Sequence, residues 1–98
     1  MKCYKCNKEF EEKEVKLSHD IPKYIGGTDL DGRNWLCKKH HKEYDNLILS
    51  KCLIFVGEEF IVEERISWMK ELSKQPENLK IEFRKIAKKI KEEFYNGL

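Results

Sequence analysis

The chain has three histidines, His19, His40 and His41, and all of them fall between residues 19 and 45. The same stretch holds Cys37, Pro22, the pair Gly26-Gly27 and the pair Asp31-Gly32. Upstream, Cys3 and Cys6 form a lone Cys-x-x-Cys. Cys37 and His40 repeat that spacing, and two such pairs match a tetrahedral zinc site of three cysteines and one histidine. Thiolates suit zinc, which is borderline soft and imposes no d-electron geometry. The first pair reads as a turn on which two sulfurs converge. The second straddles the start of a helix, so Cys37 and His40 lie one turn apart on one side.

Four protein ligands leave no open position, so such a zinc is structural. Its binding free energy, on the order of 10 kcal/mol, is folding free energy. The competing reading makes Cys37 a small buried hydrophobe and Cys3-Cys6 a surface redox pair. No βαβ pattern surrounds the Cys-x-x-Cys, which speaks against a thioredoxin-like site. Spacing assigns the zinc to His40 rather than to His41. Cys52, set among Leu49, Leu53 and Ile54, reads as a core residue.

A second constellation remains. His41 and Asp45 are four residues apart on the expected helix, so their side chains face the same way. One imidazole and one carboxylate can grip a cation, and the mixed nitrogen-oxygen set suits Mg²⁺, Mn²⁺ or a later divalent metal. His19 ends an expected strand and is the remaining imidazole.

The pattern Cys3-x-x-Cys6, His19-x-x-Pro22, Gly26-Gly27 and Leu36-Cys37-x-x-His40-His41 resembles the HNH endonuclease family. The resemblance covers residues 3 to 45, under half of the chain. It implies a ββα-metal nuclease fold embedded in a zinc treble clef, acting on DNA phosphodiesters with one divalent cation. It further implies His19 as general base and His41 as the helix-borne metal ligand, with Asp45 beside it. The chemistry is coherent: a neutral imidazole can take a proton from water near pH 7, and a cation can neutralise phosphate charge.

Two positions depart from the family. Ser18 stands where a further Asp or His ligand often precedes the base. Gly32 stands where the middle Asn is usual, so Asn34 is carried as the catalytic substitute, with Asp31 nearby. Asp20, one residue past His19 on an extended strand, would point to the opposite face and is not taken as a ligand. Arg33, Lys38, Lys39 and Lys42 flank the site as candidate DNA-phosphate contacts, although a Lys-rich helix is usually a solvated face.

Those residues need elements to hold them. Residues 1–10 read as a knuckle with turn chemistry at Asn7-Lys8. Val15, Leu17 and His19 alternate with Lys16 and Ser18 as in a strand, which Pro22 ends. Trp35-Leu36 gives a short second strand. From Lys38 the pattern turns helical, with Tyr44, Leu47, Ile48, Lys51, Cys52 and Phe55 on one face and Gly57 as the stop. A helix is expected over residues 58–73, with Ile61, Arg65, Trp68, Met69 and Leu72 at helical spacing. Pro76-Glu77 opens the last helix. Its apolar stripe is Leu79, Phe83, Ile86, Ala87, Ile90 and Phe94, and Gly97 lies past its end.

The expected class is therefore α+β: a zinc-stapled treble clef of the ββα-metal type in residues 1–57, followed by two helices in residues 58–98 packed on it. A 98-residue chain is one small domain with an extension, and a metal staple helps so modest a core. Charged residues make up 39% of the chain, yet the net charge is only +2, so bulk electrostatics do not announce a nucleic-acid binder. The longest apolar stretch, Leu47 to Val56, is broken by Ser50 and Lys51 and falls short of a membrane span. The start MKCYKCNKEFEEKE has no signal-peptide pattern, which points to a cytoplasmic protein with reduced cysteines.

Three functions compete. The first is a metal-dependent DNA endonuclease. The second is a zinc treble clef with a decayed catalytic centre that binds nucleic acid; Ser18 favours it. The third is an interaction module that docks a homodimer mate or larger partner through residues 58–98. Lys80, Arg84, Lys88 and Lys91 on the last helix could extend a DNA footprint, but a helical cap over the zinc module is the simpler role.

Overall fold

The computed structural model describes residues 1–59 and 61–96. Gly97, expected past the last helix, lies outside the described residues. Among them the chain is α+β, with one two-stranded antiparallel sheet and three α-helices. Strand β1 is Val15–His19 and β2 is Arg33–Cys37; helix α1 is Lys38–Phe55, α2 is Arg65–Ser73 and α3 is Glu77–Asn96. The strands run from Val15 opposite Cys37 to His19 opposite Arg33. Paired residues share a face, so Ser18 stands with Asn34 and His19 with Arg33.

The N-terminal knuckle forms because Asn7 tolerates φ 60°, which lets its amide N–H return to the Cys3 carbonyl at 2.8 Å. A bond from the Tyr4 N–H to the Trp35 carbonyl, 2.8 Å, stitches the knuckle to β2. Helix α1 follows β2 without a loop, Cys37 being its N-cap residue. It stops at Gly57, whose φ of 86° lets the Glu58 N–H reach the Leu53 carbonyl at 2.8 Å and close the helix end.

The core is one cluster in which Tyr44, Ile48, Leu49, Cys52 and Leu53 of α1 meet Leu72 of α2 and Phe83, Ala87, Ile90 and Phe94 of α3. The stripe of α3 packs as expected, with Leu79 and Ile86 partly covered at its edge. Two expectations fail in detail. The buried face of α1 is rotated: Leu47 and Phe55 are exposed, and Leu49 and Leu53 are fully buried instead. Both α2 and α3 pack on α1, so its covered stripe is wider than a single partner would make it. The helix expected over residues 58–73 begins only at Arg65, after a 3-10 turn at Val62–Glu64. Ile61 is exposed and gives that stretch no buried anchor. No described helix is long and apolar enough to cross a membrane.

Candidate metal centre and adjoining cleft

Cys3, Cys6, Cys37 and His40 come together. Their ligand atoms all lie within 4.8 Å of one another, and among the described residues no other group of three or more Cys, His, Asp or Glu side chains gathers this way. The His40 Nδ1 lies 3.2 Å from the Cys37 Sγ and 3.7 Å from the Cys3 Sγ. Cys3 and Cys37 are buried, and Cys6 and His40 partly so. Burial works against the Cys3 thiolate, but hydrogen bonds from the backbone of Cys37, Cys6 and Lys5 outweigh it and bring its pKa down to about 6. Burial pushes the Cys37 thiol up, with the neighbouring Cys3 and Cys6 acting in the same direction. Three sulfurs and one imidazole at this spacing fit a metal such as zinc. Cys52 stands apart, its thiol pushed up to about 12 by burial, as befits a core residue.

The far end of α3 closes over this centre. The Phe94 ring meets the His40 ring edge-on at 6.3 Å, and Tyr95 meets Tyr4 of the knuckle at 5.2 Å. The Lys5 ammonium lies 4.7 Å above the Phe94 ring and donates to the Phe94 carbonyl. A cation against the last carbonyls of a helix complements its dipole.

A cleft of about 390 Å³ opens between β1 and α1. Ser18, His19, Tyr24, His41, Asp45 and Met69 line it. The sequence reading thus brings His19, His41 and Asp45 to one cavity, but not into one cluster of ligating atoms. His41 is half-buried; burial, with Lys16 and Arg65 nearby, lowers its pKa and keeps the imidazole neutral, the form that binds a metal. Asp45 is already engaged: Arg65 of α2 forms an ion pair with it, and the Tyr24 hydroxyl donates to its Oδ1 at 3.4 Å. The His19 Nε2 lies 2.6 Å from the Asp29 Oδ1.

The loop between the strands accounts for the glycine at position 32. Gly32 has φ 104°, and a Cβ there would run into the Asp20 carboxylate. No asparagine fits that position without moving Asp20. Asn34 instead donates to the Asp20 Oδ1 at 3.1 Å, and Lys91 of α3 pairs with the Asp20 Oδ2 at 2.8 Å. Asn34 therefore reaches His19 only through the neighbouring residue. Asp20 is buried and does not line the cleft. Gly27 lies against the Ile21 and Pro22 carbonyls, so the Gly-Gly pair is a tight turn. Asp31 is bound to Arg84 of α3 at 2.6 Å.

Lys38, Lys39 and Lys42 are exposed and form no ion pair among the described residues, whereas Arg33 lies 3.5 Å from Asp29. On α3, Arg84 and Lys91 are committed to Asp31 and Asp20, so the basic flank read from the sequence is largely spent inside the fold. Sequence reasoning missed Asp29, Tyr24, Arg65 and Met69 as neighbours of the site. None carries a motif; each is placed by a loop or by the docking of α2. Compared with known proteins, the chain matches no family model, no curated protein and no solved structure.

Proposed function

We propose that the protein is an HNH-type, metal-dependent DNA endonuclease: a zinc-stapled treble clef whose β1–α1 cleft hydrolyses phosphodiester bonds. The observation that carries this reading is that one cleft collects His19 from the strand end with His41 and Asp45 from the helix, His41 being the residue after His40 of the Cys3/Cys6/Cys37/His40 centre. His19 would take the proton from the attacking water as a neutral imidazole. His41 and Asp45 would hold the divalent cation, such as Mg²⁺ or Mn²⁺. That cation supplies charge neutralisation to the phosphate and the departing oxygen. Asp45 serves it by sharing or leaving Arg65. Exposed Lys38, Lys39 and Lys42, together with Arg33, supply contacts for the DNA backbone.

A second reading has its own observations. Ser18 offers no strong ligand, and the Arg65–Asp45 pair takes up one of the two helix-borne donors. Both favour a zinc module that binds nucleic acid without cutting it. The test is plasmid nicking with Mg²⁺, Mn²⁺ and Ni²⁺ across pH. On the nuclease reading His19→Ala loses about 10²–10⁴-fold activity with zinc content and fold intact. His41→Ala and Asp45→Ala are partly restored by excess cation. Wild-type protein that shifts DNA on a gel but nicks nothing in any metal selects the second reading.

A further inference from the structure

The histidine at the end of β1 has a partner that no part of the sequence pattern foretold. Asp29 begins the 3-10 turn Asp29–Asp31, and that turn is held from both sides. Within it, the Thr28 N–H donates to the Asp31 Oδ2 at 2.9 Å. From α3, Arg84 donates to the Asp31 Oδ1 at 2.6 Å and to the Gly26 carbonyl at 2.9 Å. The turn thus presents Asp29 from an anchored loop. One carboxylate oxygen of Asp29 lies 2.6 Å from the His19 Nε2, and the other lies 3.5 Å from the Arg33 Nη1.

We infer that Asp29 is the positioning residue of His19: it accepts from Nε2–H, fixes that tautomer and leaves Nδ1 as the basic nitrogen. This rests on the nuclease reading only for the use made of Nδ1. The chemistry of the pair is independent of it. A carboxylate only accepts hydrogen bonds, so the proton between the two groups belongs to the imidazole. The bond to His19 holds the Asp29 carboxyl below the usual range, so it is ionised at neutral pH. Arg33 only donates, and it claims the second oxygen. The other charged groups around the pair are Lys23 on the turn after Pro22, and His41 and Asp45 across the cleft, the latter paired with Arg65.

Two variants vary the partner. Asp29→Ala removes the acceptor and leaves both tautomers populated. Asp29→Asn keeps the side-chain shape but offers Nε2 either an accepting oxygen or a donating NH₂, so it sets a different share of the two tautomers. Asp29 is exposed, so both variants should fold.

Nitrogen-15 shifts of the His19 ring in zinc-loaded protein read the tautomer directly. We expect Nε2–H in the wild type and a mixture in Asp29→Ala. Nicking should fall by about 10-fold or more in Asp29→Ala, and across the wild type, Asp29→Ala and Asp29→Asn it should follow the Nε2–H share read from the same spectra, which loss of a merely structural contact would not produce. An Nε2–H tautomer in Asp29→Ala unchanged from the wild type overturns the assignment. So does nicking that does not follow the Nε2–H share. If the tautomer shifts in Asp29→Ala while wild-type protein cuts nothing, Asp29 stands as the positioning residue and the nuclease reading falls.

Discussion

Replacing Lys91 by methionine isolates a charge buried next to the candidate base. Asp20 follows His19 directly, and its side chain is 3% exposed. Its carboxylate has two partners: the Lys91 ammonium at 2.8 Å and the Asn34 amide at 3.1 Å. Methionine keeps most of the lysine stem and its packing but removes the cation. The carboxylate then stays buried with one neutral donor. Stripping the partner from a fully buried charge costs about 3–5 kcal/mol. Lys91 is itself 42% exposed, so water can reach part of the vacated space, and the expected loss is about 2 kcal/mol.

The reverse deletion is milder. In Asp20→Asn the Lys91 ammonium turns to solvent, and the Tyr44 hydroxyl still donates to the Asp20 backbone carbonyl at 2.6 Å, since that bond ignores the side chain. Its cost should be about 1 kcal/mol. The double variant should then be more stable than Lys91→Met alone, because the uncompensated charge has gone. Urea unfolding followed by circular dichroism, with zinc held constant, measures all four proteins as a cycle. In heat, about 2 kcal/mol corresponds to a Tm drop of roughly 8–16 °C at this size. A Lys91→Met protein as stable as wild type, or a cycle in which the two losses add, refutes the idea that the pair is an integrated buried ion pair.

Three other outcomes follow from the fold. Purified protein should carry one zinc per chain, and chelation should loosen the knuckle and the start of α1; full retention of the thermal transition without metal would count against a structural site. Phe83→Ala, which empties a fully buried position at 6.3 Å from the Phe55 ring, should cost about 3–5 kcal/mol in urea unfolding. Asp31 lies below the usual carboxylate range because the Thr28 backbone and Arg84 favour its charged form. A carboxyl depressed in the fold stabilises it fully above its unfolded pKa, about 3.9, and loses that contribution as pH falls through the lower folded value. Asp31→Asn should therefore be less stable at neutral pH and should shed less stability as pH falls below about 4; identical acid curves would exclude this role.

What the sequence made legible follows from range. The Cys-x-x-Cys turn and the Cys37–His40 pair are local geometries, so spacing alone could bring each pair to one side of its element. The strand of Val15, Leu17 and His19 and the stripe of Phe83, Ala87, Ile90 and Phe94 are local too, since period 2 and period 3.6 are visible in the letters. The rotated face of α1 was not, because Leu49 and Leu53 are buried by two helices whose docking no local pattern encodes. Charges were the least legible. Nothing in the letters pairs Asp20, Asp29, Asp31, Asp45, Arg65, Arg84 or Lys91 with the partner it has in the fold. Each is instead assigned a partner by tertiary contact.

That pairing changes how the departures from the HNH pattern weigh on the nuclease reading. At Gly32 φ is 104° and a Cβ would meet the Asp20 carboxylate, so an asparagine there would have to displace Asp20. Asp20 in turn needs Lys91 and Asn34, so the loop, β2 and α3 are fixed as one unit around a glycine. Asn34 is thereby bound to the scaffold and does not touch His19. On the nuclease reading His19 needs an orienting partner, and Asp29, in the same loop three residues before Gly32, stands within hydrogen-bond distance of it. The two features share one loop: the Asp20 carboxylate stands against Gly32, while Thr28 and Arg84 fix the turn that presents Asp29. Ser18 has no comparable compensation. Its place on the cleft wall is the point at which the cutting and non-cutting readings part, and the nicking assay decides between them.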